Sequence, residues 1–199
     1  MDGIVGEIIG GTEMVARLQG VTPKARENVR ETIRRLQQTL ANNIKSQFLS
    51  GSPLHVRSGT LRGGINVGPI EESADEIRGP VGTNTIYAAI QNYGGTITPK
   101  NSTYLTIPLD AALTPAGVMR WSAREIISSP GQGGYTGTFF RNGVLFGKTA
   151  GGIEPLFALK TSVTIPARPY MEPGLESVRG DFNAGMTDAL ERAKVALGL

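Results

Sequence analysis

Glycine and proline punctuate most of this chain, 27 and 12 of its 199 residues, yet the stretch 23–48 contains no glycine and no proline after Pro23. No other feature narrows the possible folds as much. Thr22-Pro23 supplies an N-cap and a proline suited to the first helical position. Val29, Ile33, Leu36, Leu40, Ile44 and Phe48 follow at spacings of four, three, four, four and four, one apolar stripe on one helix face. About 27 residues at 1.5 Å each predict a rod of roughly 40 Å. Lys24, Arg26, Arg30, Arg34, Arg35 and Lys45 against Glu27 and Glu31 give the rod a net +4. Most of the excess charge of the chain, +3 overall, is therefore expected to ride on this helix.

A second helix is predicted from about Glu172 to Leu197, with Leu175, Val178, Phe182, Met186, Ala189, Leu190, Ala193 and Leu197 along one side. Gly180 and Gly185 each cost it about 1 kcal/mol relative to alanine, so it needs tertiary packing or close neighbours there. Thr12 to Gln19 reads as a short helix stopped by Gly20. Between the long helices the period changes to two. Leu61, Gly63, Ile65 and Val67 alternate with polar positions, then Ile77, Gly79 and Val81 do so beyond Glu71–Asp75, which predicts a hairpin. Ile86, Ile90 and Tyr93 predict a short helix ended by Gly94-Gly95. Tyr104–Ile107 is a strand, and Leu156–Ile165 another, ended by Pro166. Asn142-Gly143 between Phe139-Phe140 and Val144-Leu145-Phe146 predicts a two-residue hairpin turn with both residues at positive φ. Long glycine-rich connections are expected at about 110–134 and 147–155, mobile in character. The layout is α+β: an antiparallel sheet packed against a long N-terminal and a C-terminal helix, a single domain over 1–199 with a flexible loop or hairpin insertion at about 110–153.

Few residues offer chemistry. Cysteine is absent and His55 is the one imidazole, which excludes disulfides, thiol nucleophiles and histidine metal clusters. Ser52 and Ser58 near His55 describe a polar loop. Gly147-Lys148-Thr149 looks like the end of a phosphate-binding loop, but Asn142 stands where that motif needs its first glycine. Gly131-Gln132-Gly133-Gly134 lacks the βαβ surroundings of a dinucleotide fingerprint. Glu71, Glu72, Asp75 and Glu76 read as a solvated hairpin tip. The basic helix face reads as solvated, with Glu31–Arg35 and Glu27–Arg30 as its pairs. Aromatic residues are 6%, too few for a base-stacking platform. Met1–Ile9 carries Asp2 and Glu7 and no base ahead of its apolar residues, the reverse of a secretory signal. No run approaches the ~18 apolar residues of a membrane span. The expectation is a protein made in the cytoplasm, without catalytic residues, cofactor, metal or membrane partner.

Several stretches, taken in order, resemble the head–tail joining or tail-completion proteins of tailed bacteriophages, the Mu-like virion-morphogenesis proteins among them. They are Gly10-Gly11-Thr12-Glu13-Met14-Val15-Ala16-Arg17-Leu18, the basic helix, Arg57-Ser58-Gly59-Thr60-Leu61-Arg62, and Val81-Gly82-Thr83-Asn84 with Tyr87-Ala88 and Tyr93-Gly94-Gly95. Tyr104-Leu105-Thr106-Ile107-Pro108, Pro155-Leu156-Phe157-Ala158-Leu159-Lys160 and Val163-Thr164-Ile165-Pro166-Ala167-Arg168-Pro169-Tyr170-Met171 are similar to the Mu-like branch. Their order covers nearly the whole chain; the segment 110–153 departs from the shorter members.

The resemblance implies a structural virion protein of the neck, forming a homo-oligomeric ring, sixfold in most accounts, through whose lumen DNA passes without sequence preference. Its neighbours would be the head-side connector and the tail terminator, tube or sheath. A tail terminator that caps the tube is the nearest alternative, and a non-specific DNA-binding accessory protein is the alternative from another class. On the ring reading, Arg57, Arg62, Lys100 and Arg168 are candidates for contacts between subunits or rings, as are Tyr93 and Tyr170, for each of which core packing is the other reading. Arg26, Arg30 and Arg34 are candidates for the DNA lumen.

Overall fold

The computed structural model describes residues 14–17, 23–56 and 58–196. It divides the chain into two compact units, Met1–Gly94 with Pro166–Leu199, and Gly95–Ile165 inserted between them in sequence. The fold is mixed helix and antiparallel sheet, with a long helix near each end. The inserted unit is larger than the 110–153 segment expected from the glycine pattern.

In the first unit, α1 (Pro23–Asn43) continues into one wide π-helical turn, Ile44–Phe48, closed by Leu49 N–H on Ile44 O at 3.0 Å. The stripe read from the sequence is the core: Val29, Ile33, Leu36, Leu40 and Ile44 are all buried, and Phe48 packs against them. Thr22, the expected N-cap, lies outside the described residues. The C-terminal helix is two pieces, α5 (Met171–Glu176) and α6 (Arg179–Ala196). Val178 N–H bonds to Leu175 O and the Ser177 hydroxyl donates to Gly174 O, a tighter turn than an α-helix allows, and this separates them. Val178 and Ala189 join the buried core, with Leu175, Phe182 and Met186 packed against it. Leu190 is exposed, and Leu197 lies outside the described residues.

Gly185 marks the close approach of α6 to α1, since a Cβ there would sit 2.8 Å from Thr32 Cγ2. At Gly174 a Cβ would lie 2.4 Å from Ile44 Cγ1, so α5 also presses on the helix end. Gly180 faces open space.

Two expectations in this unit are corrected. Met14–Arg17, read as part of a helix over 12–19, is a strand, β1, whose residues pair antiparallel with β4 (Glu76–Gly79). A free helix of that length is marginal, whereas an open sheet edge satisfies the same backbone groups at once. Thr60–Gly64, read as a strand, is the single-turn helix α2; only β2 (Asn66–Val67) pairs with β5 (Val81–Gly82). Gly63 and Gly64 offer no side chains to pack across a ladder, so alternation there carried no strand-forming weight. The expected hairpin is thus present only at its base, and Glu71–Glu72, expected in its tip, is a strand, β3, that pairs with Ile77 and Arg78 of β4. The short helix α3 (Ala88–Tyr93) ends at Gly94, whose φ of 71° suits glycine.

The second unit opens and closes on a strand pair, β6 (Gly95–Ile97) with β11 (Val163–Ile165). Its main sheet is antiparallel, in the order β7 (Leu105–Pro108), β10 (Gly152–Lys160), β9 (Val144–Thr149), β8 (Gly137–Arg141). Asn142 and Gly143 have φ of 49° and 71°, the two-residue turn read from the sequence, with Arg141 opposite Val144. One face of the sheet is covered by α4 (Ala123–Ser128), which starts in a capping box between Ser122 and Glu125. Ala112, Ala123, Ile126, Tyr135, Leu145, Leu156 and Phe157 form this unit's core. The stretch 147–155, expected as a mobile connection, is instead the β9–β10 hairpin. Gly147 is glycine for packing, since a Cβ would meet Tyr135 Cδ1 at 2.4 Å. The strand expected over 156–165 is two strands in two sheets, separated at Thr161-Ser162.

Because Gly174 has no room and Gly180 has space in the first turn of α6, their alanine variants should move stability in opposite directions. G174A should lose about 1–3 kcal/mol from overpacking, and G180A should gain about 0.5–1 kcal/mol from the better helix former. Urea unfolding of the two variants checks both signs.

Candidate functional site

Helix α1 presents Arg26 and Arg30 one turn apart, and the β3–β4 hairpin brings Glu72 between them. Arg26 Nε and Nη2 donate to Glu72 Oε1 at 3.0 and 2.8 Å, and Arg30 Nε donates to Oε2 at 2.9 Å, with a further bond from Arg30 Nη2 to Oε2. Arg26 also donates to the carbonyls of Ser73 and Ala74 at 2.5 and 2.7 Å, so it caps the hairpin turn as well as neutralising it. Hydrogen bonds from Arg30 and then Arg26 hold the Glu72 carboxyl below the usual carboxylate range, and Glu72 in turn raises the Arg30 guanidinium. These contacts correct two expectations. The acidic hairpin tip is not simply solvated, because Glu72 is a ligand for α1. Among the described residues the ion pairs of the helix face are Lys24–Glu27 and the two arginines on Glu72, in place of the expected Glu31–Arg35, while Glu27 raises the Arg30 guanidinium without an ion pair to it. Of the three arginines expected at a DNA lumen, two are committed within the unit and Arg34 is exposed.

A second constellation surrounds Asn92, which is buried at the end of α3. Its Oδ1 accepts from the backbone N–H of Tyr170 and of Met171 at 2.9 and 3.1 Å, and its Nδ2 donates to Glu172 Oε2 at 3.3 Å. Arg168 N–H adds a bond to Gln91 O at 3.0 Å. Together they tie the end of α3 to the start of α5. Tyr170 is fully buried, its hydroxyl donating to Ala88 O at 3.2 Å, and burial pushes that hydroxyl well above the usual tyrosine range. Tyr170 is thus a core residue, a correction to its place among the candidate interface contacts. Nothing in the sequence singled out Asn92, because a buried asparagine has no periodicity of its own.

The remaining candidates are dispersed. Tyr93 is half exposed and lines an open cleft with Asn92, Ala167, Pro169, Glu172, Pro173 and Glu176. Arg62 is exposed on α2 and donates to Ser50 Oγ at 3.2 Å. Arg168 has an exposed side chain, and Lys100 is exposed in the second unit. Arg57 lies outside the described residues. His55 is exposed in a connection, and Gly147-Lys148-Thr149 lies within β9. Among the described residues, no group of three or more His, Cys, Asp or Glu side chains is placed to hold a metal ion, and no helix is long and apolar enough to cross a membrane.

The charge of the chain is distributed differently from the expectation. Residues 95–165 hold six Lys or Arg and three Asp or Glu, while the rest of the chain holds fourteen of each. The whole +3 therefore belongs to the inserted unit, and the +4 of the long helix is offset within its own unit. Residues directly opposite in an antiparallel ladder share a face. The pairings Arg141–Val144–Ala158–Ile107, Phe139–Phe146–Pro155 and Lys148–Ile153 thus place Arg141 and Lys148 on the sheet face opposite the core, with Lys160 opposite Leu105 on the same face. Lys148 Nζ lies 5.5 Å from the centroid of the Phe139 ring, which stacks on Phe146 at 5.3 Å. Glu154 turns to the other face, where Tyr135 donates to it at 3.0 Å.

Two substitutions test these constellations. Asn92→Ala leaves two buried backbone N–H groups unpaired and should cost about 1–3 kcal/mol in urea unfolding. The lowered pKa of Glu72 means that its contribution is complete above the ordinary carboxylate value of about 4.3 and is lost as pH falls through the depressed one. Glu72→Gln should therefore lower the urea midpoint at neutral pH, and the gap to the parent chain should close in acid. Comparison with protein-family models, curated proteins and solved structures returns no match to this chain.

Proposed function

We propose that this chain is a structural protein of the neck of a tailed phage, joining or completing the tail as one subunit of a ring around the DNA channel. The observation that carries the reading is where the resembling stretches fall. Tyr93-Gly94-Gly95 and Val163-Thr164-Ile165-Pro166-Ala167-Arg168-Pro169-Tyr170 hold the two points at which the chain passes between its units. Within the first unit the Asn92 and Gln91 bonds tie the end of α3 to the segment that leads into α5, and within the second β6 pairs with β11. A chain with two separately folded units suits a subunit that must hold its own fold while reaching neighbours.

A DNA-binding accessory role through α1 fits less well, because Arg26 and Arg30 already share Glu72. Phosphate contact by this face would require breaking that pairing, so the isolated chain should bind free DNA weakly. The tail-terminator alternative differs in position along the neck rather than in chemistry.

Gold-labelled antibody against the chain, viewed on intact tailed particles by electron microscopy, tests the reading. Label should be confined to the head–tail junction, and particles made without the protein should separate into filled heads and free tails. Protein abundant in infected cells with no label on particles would overturn it.

A further inference from the structure

Among the described residues the sheet of the inserted unit ends at β8, Gly137-Thr138-Phe139-Phe140-Arg141, which pairs on one side only, with β9. The opposite edge, β7, ends in Pro108, a residue that blocks further pairing, whereas β8 contains no proline and only one charge. Phe140 lies opposite the fully buried Leu145 and so on the core face, yet it is 58% exposed, because the sheet stops at its strand. On the other face Phe139 and Arg141 stand at the same edge. Lys148 and Lys160 share that face, and no carboxylate does. The edge thus offers unpaired backbone, an uncovered apolar residue on the core face and a cationic surround on the other.

The chain itself contains a stretch of matching chemistry. Met1–Glu13 carries Asp2, Glu7 and Glu13 without a lysine or arginine, and it holds Ile4, Val5, Ile8 and Ile9. Its charge of −3 equals in size the +3 of the inserted unit. These thirteen residues lie outside the described residues and lead directly into β1. Extended, they reach about 45 Å. In a strand, Ile4, Gly6 and Ile8 fall on one side and Val5, Glu7 and Ile9 on the other. One set can cover Phe140 while the other places Glu7 among Phe139, Arg141 and Lys148.

We propose that the free edge of β8 receives the Ile4–Ile9 segment of a second copy as an added strand, linking neighbouring subunits by backbone pairing and by charge. The inference rests on the ring reading, which supplies the second copy as donor.

The absence of native cysteine makes a cross-linking test direct. A Gly6→Cys chain is mixed with a differently sized, tagged Gly137→Cys chain and treated with a short bismaleimide. Gly137 lies in β8, and a Cβ there meets nothing within 4 Å. Gly180→Cys, on α6 and equally open, replaces Gly137→Cys in the control pair. The expected result is a mixed cross-linked dimer several-fold above the control. It should be reduced at about 1 M salt, where charges are screened beyond about 3 Å, and abolished by Phe140→Asp with Ile8→Asp. No dimer above control overturns the proposal, as does cross-linking found only within one chain carrying both cysteines. Label at the head–tail junction without the cross-link would refute this contact and leave the neck reading standing. A cross-link in a protein missing from particles would do the reverse.

Discussion

The apolar stripe of α1 is the interaction on which the first unit depends. Val29, Ile33, Leu36, Leu40 and Ile44 are the shared floor on which α6, α5 and the short strands rest. A helix this long has few local means of holding itself against water, so its stability comes from what it buries. Because one face must meet both helices and strands, the contacting elements carry small residues where backbones approach. Gly185 against Thr32 and Gly174 against Ile44 are such places. One polar side chain buried along this helix, Gln37, is satisfied by donating to Pro80 O at 2.9 Å and to Gly68 O at 3.3 Å, which fastens the strands to the helix.

Charge follows a similar logic of local settlement and remote surplus. The long helix looks like a cationic rod when counted alone, but a single carboxylate, Glu72, engages two of its guanidiniums, and the carbonyls of Ser73 and Ala74 take two further donors of Arg26. The pairing also organises the hairpin tip, where like charges would otherwise repel. The inserted unit has no such compensation. Three of its six cations, Arg141, Lys148 and Lys160, share the sheet face away from the core, and one of its three carboxylates is used internally by Tyr135, a second by the α4 cap. The surplus is thus presented by the unit with an open sheet edge. That combination suits a surface that meets something, and on the proposed ring reading the simplest partner is another copy.

Each unit closes its own ends by ordinary means, the first with a buried side-chain amide and a backbone bond, the second with a short strand pair. Asn92 accepts from the N–H groups of Tyr170 and Met171, where α5 begins. Tyr170, which follows the second crossing, is anchored by its hydroxyl on Ala88.

Much of this was legible from residue order, where local physics is enough. The 23–48 helix follows from an uninterrupted four–three spacing, the turn at Asn142-Gly143 from the need for positive φ, and the end of α3 at Gly94 from the same preference. Where glycines broke the pattern, local reading failed. Gly147 and Gly63 were ambiguous because a missing side chain can mean flexibility, a tight contact or a weak strand. Tertiary structure decided among them, by Tyr135 packed against Gly147 and by the turn of helix at Thr60–Gly64. It also decided β1, since a four-residue segment takes whichever partner is offered. Most of the candidate contact residues lay beyond local reading for the same reason: whether an arginine is available or a tyrosine exposed depends on partners distant in sequence. The type and period of the longest elements are properties of the chain alone, whereas pairing, burial and the placement of charge belong to the folded whole.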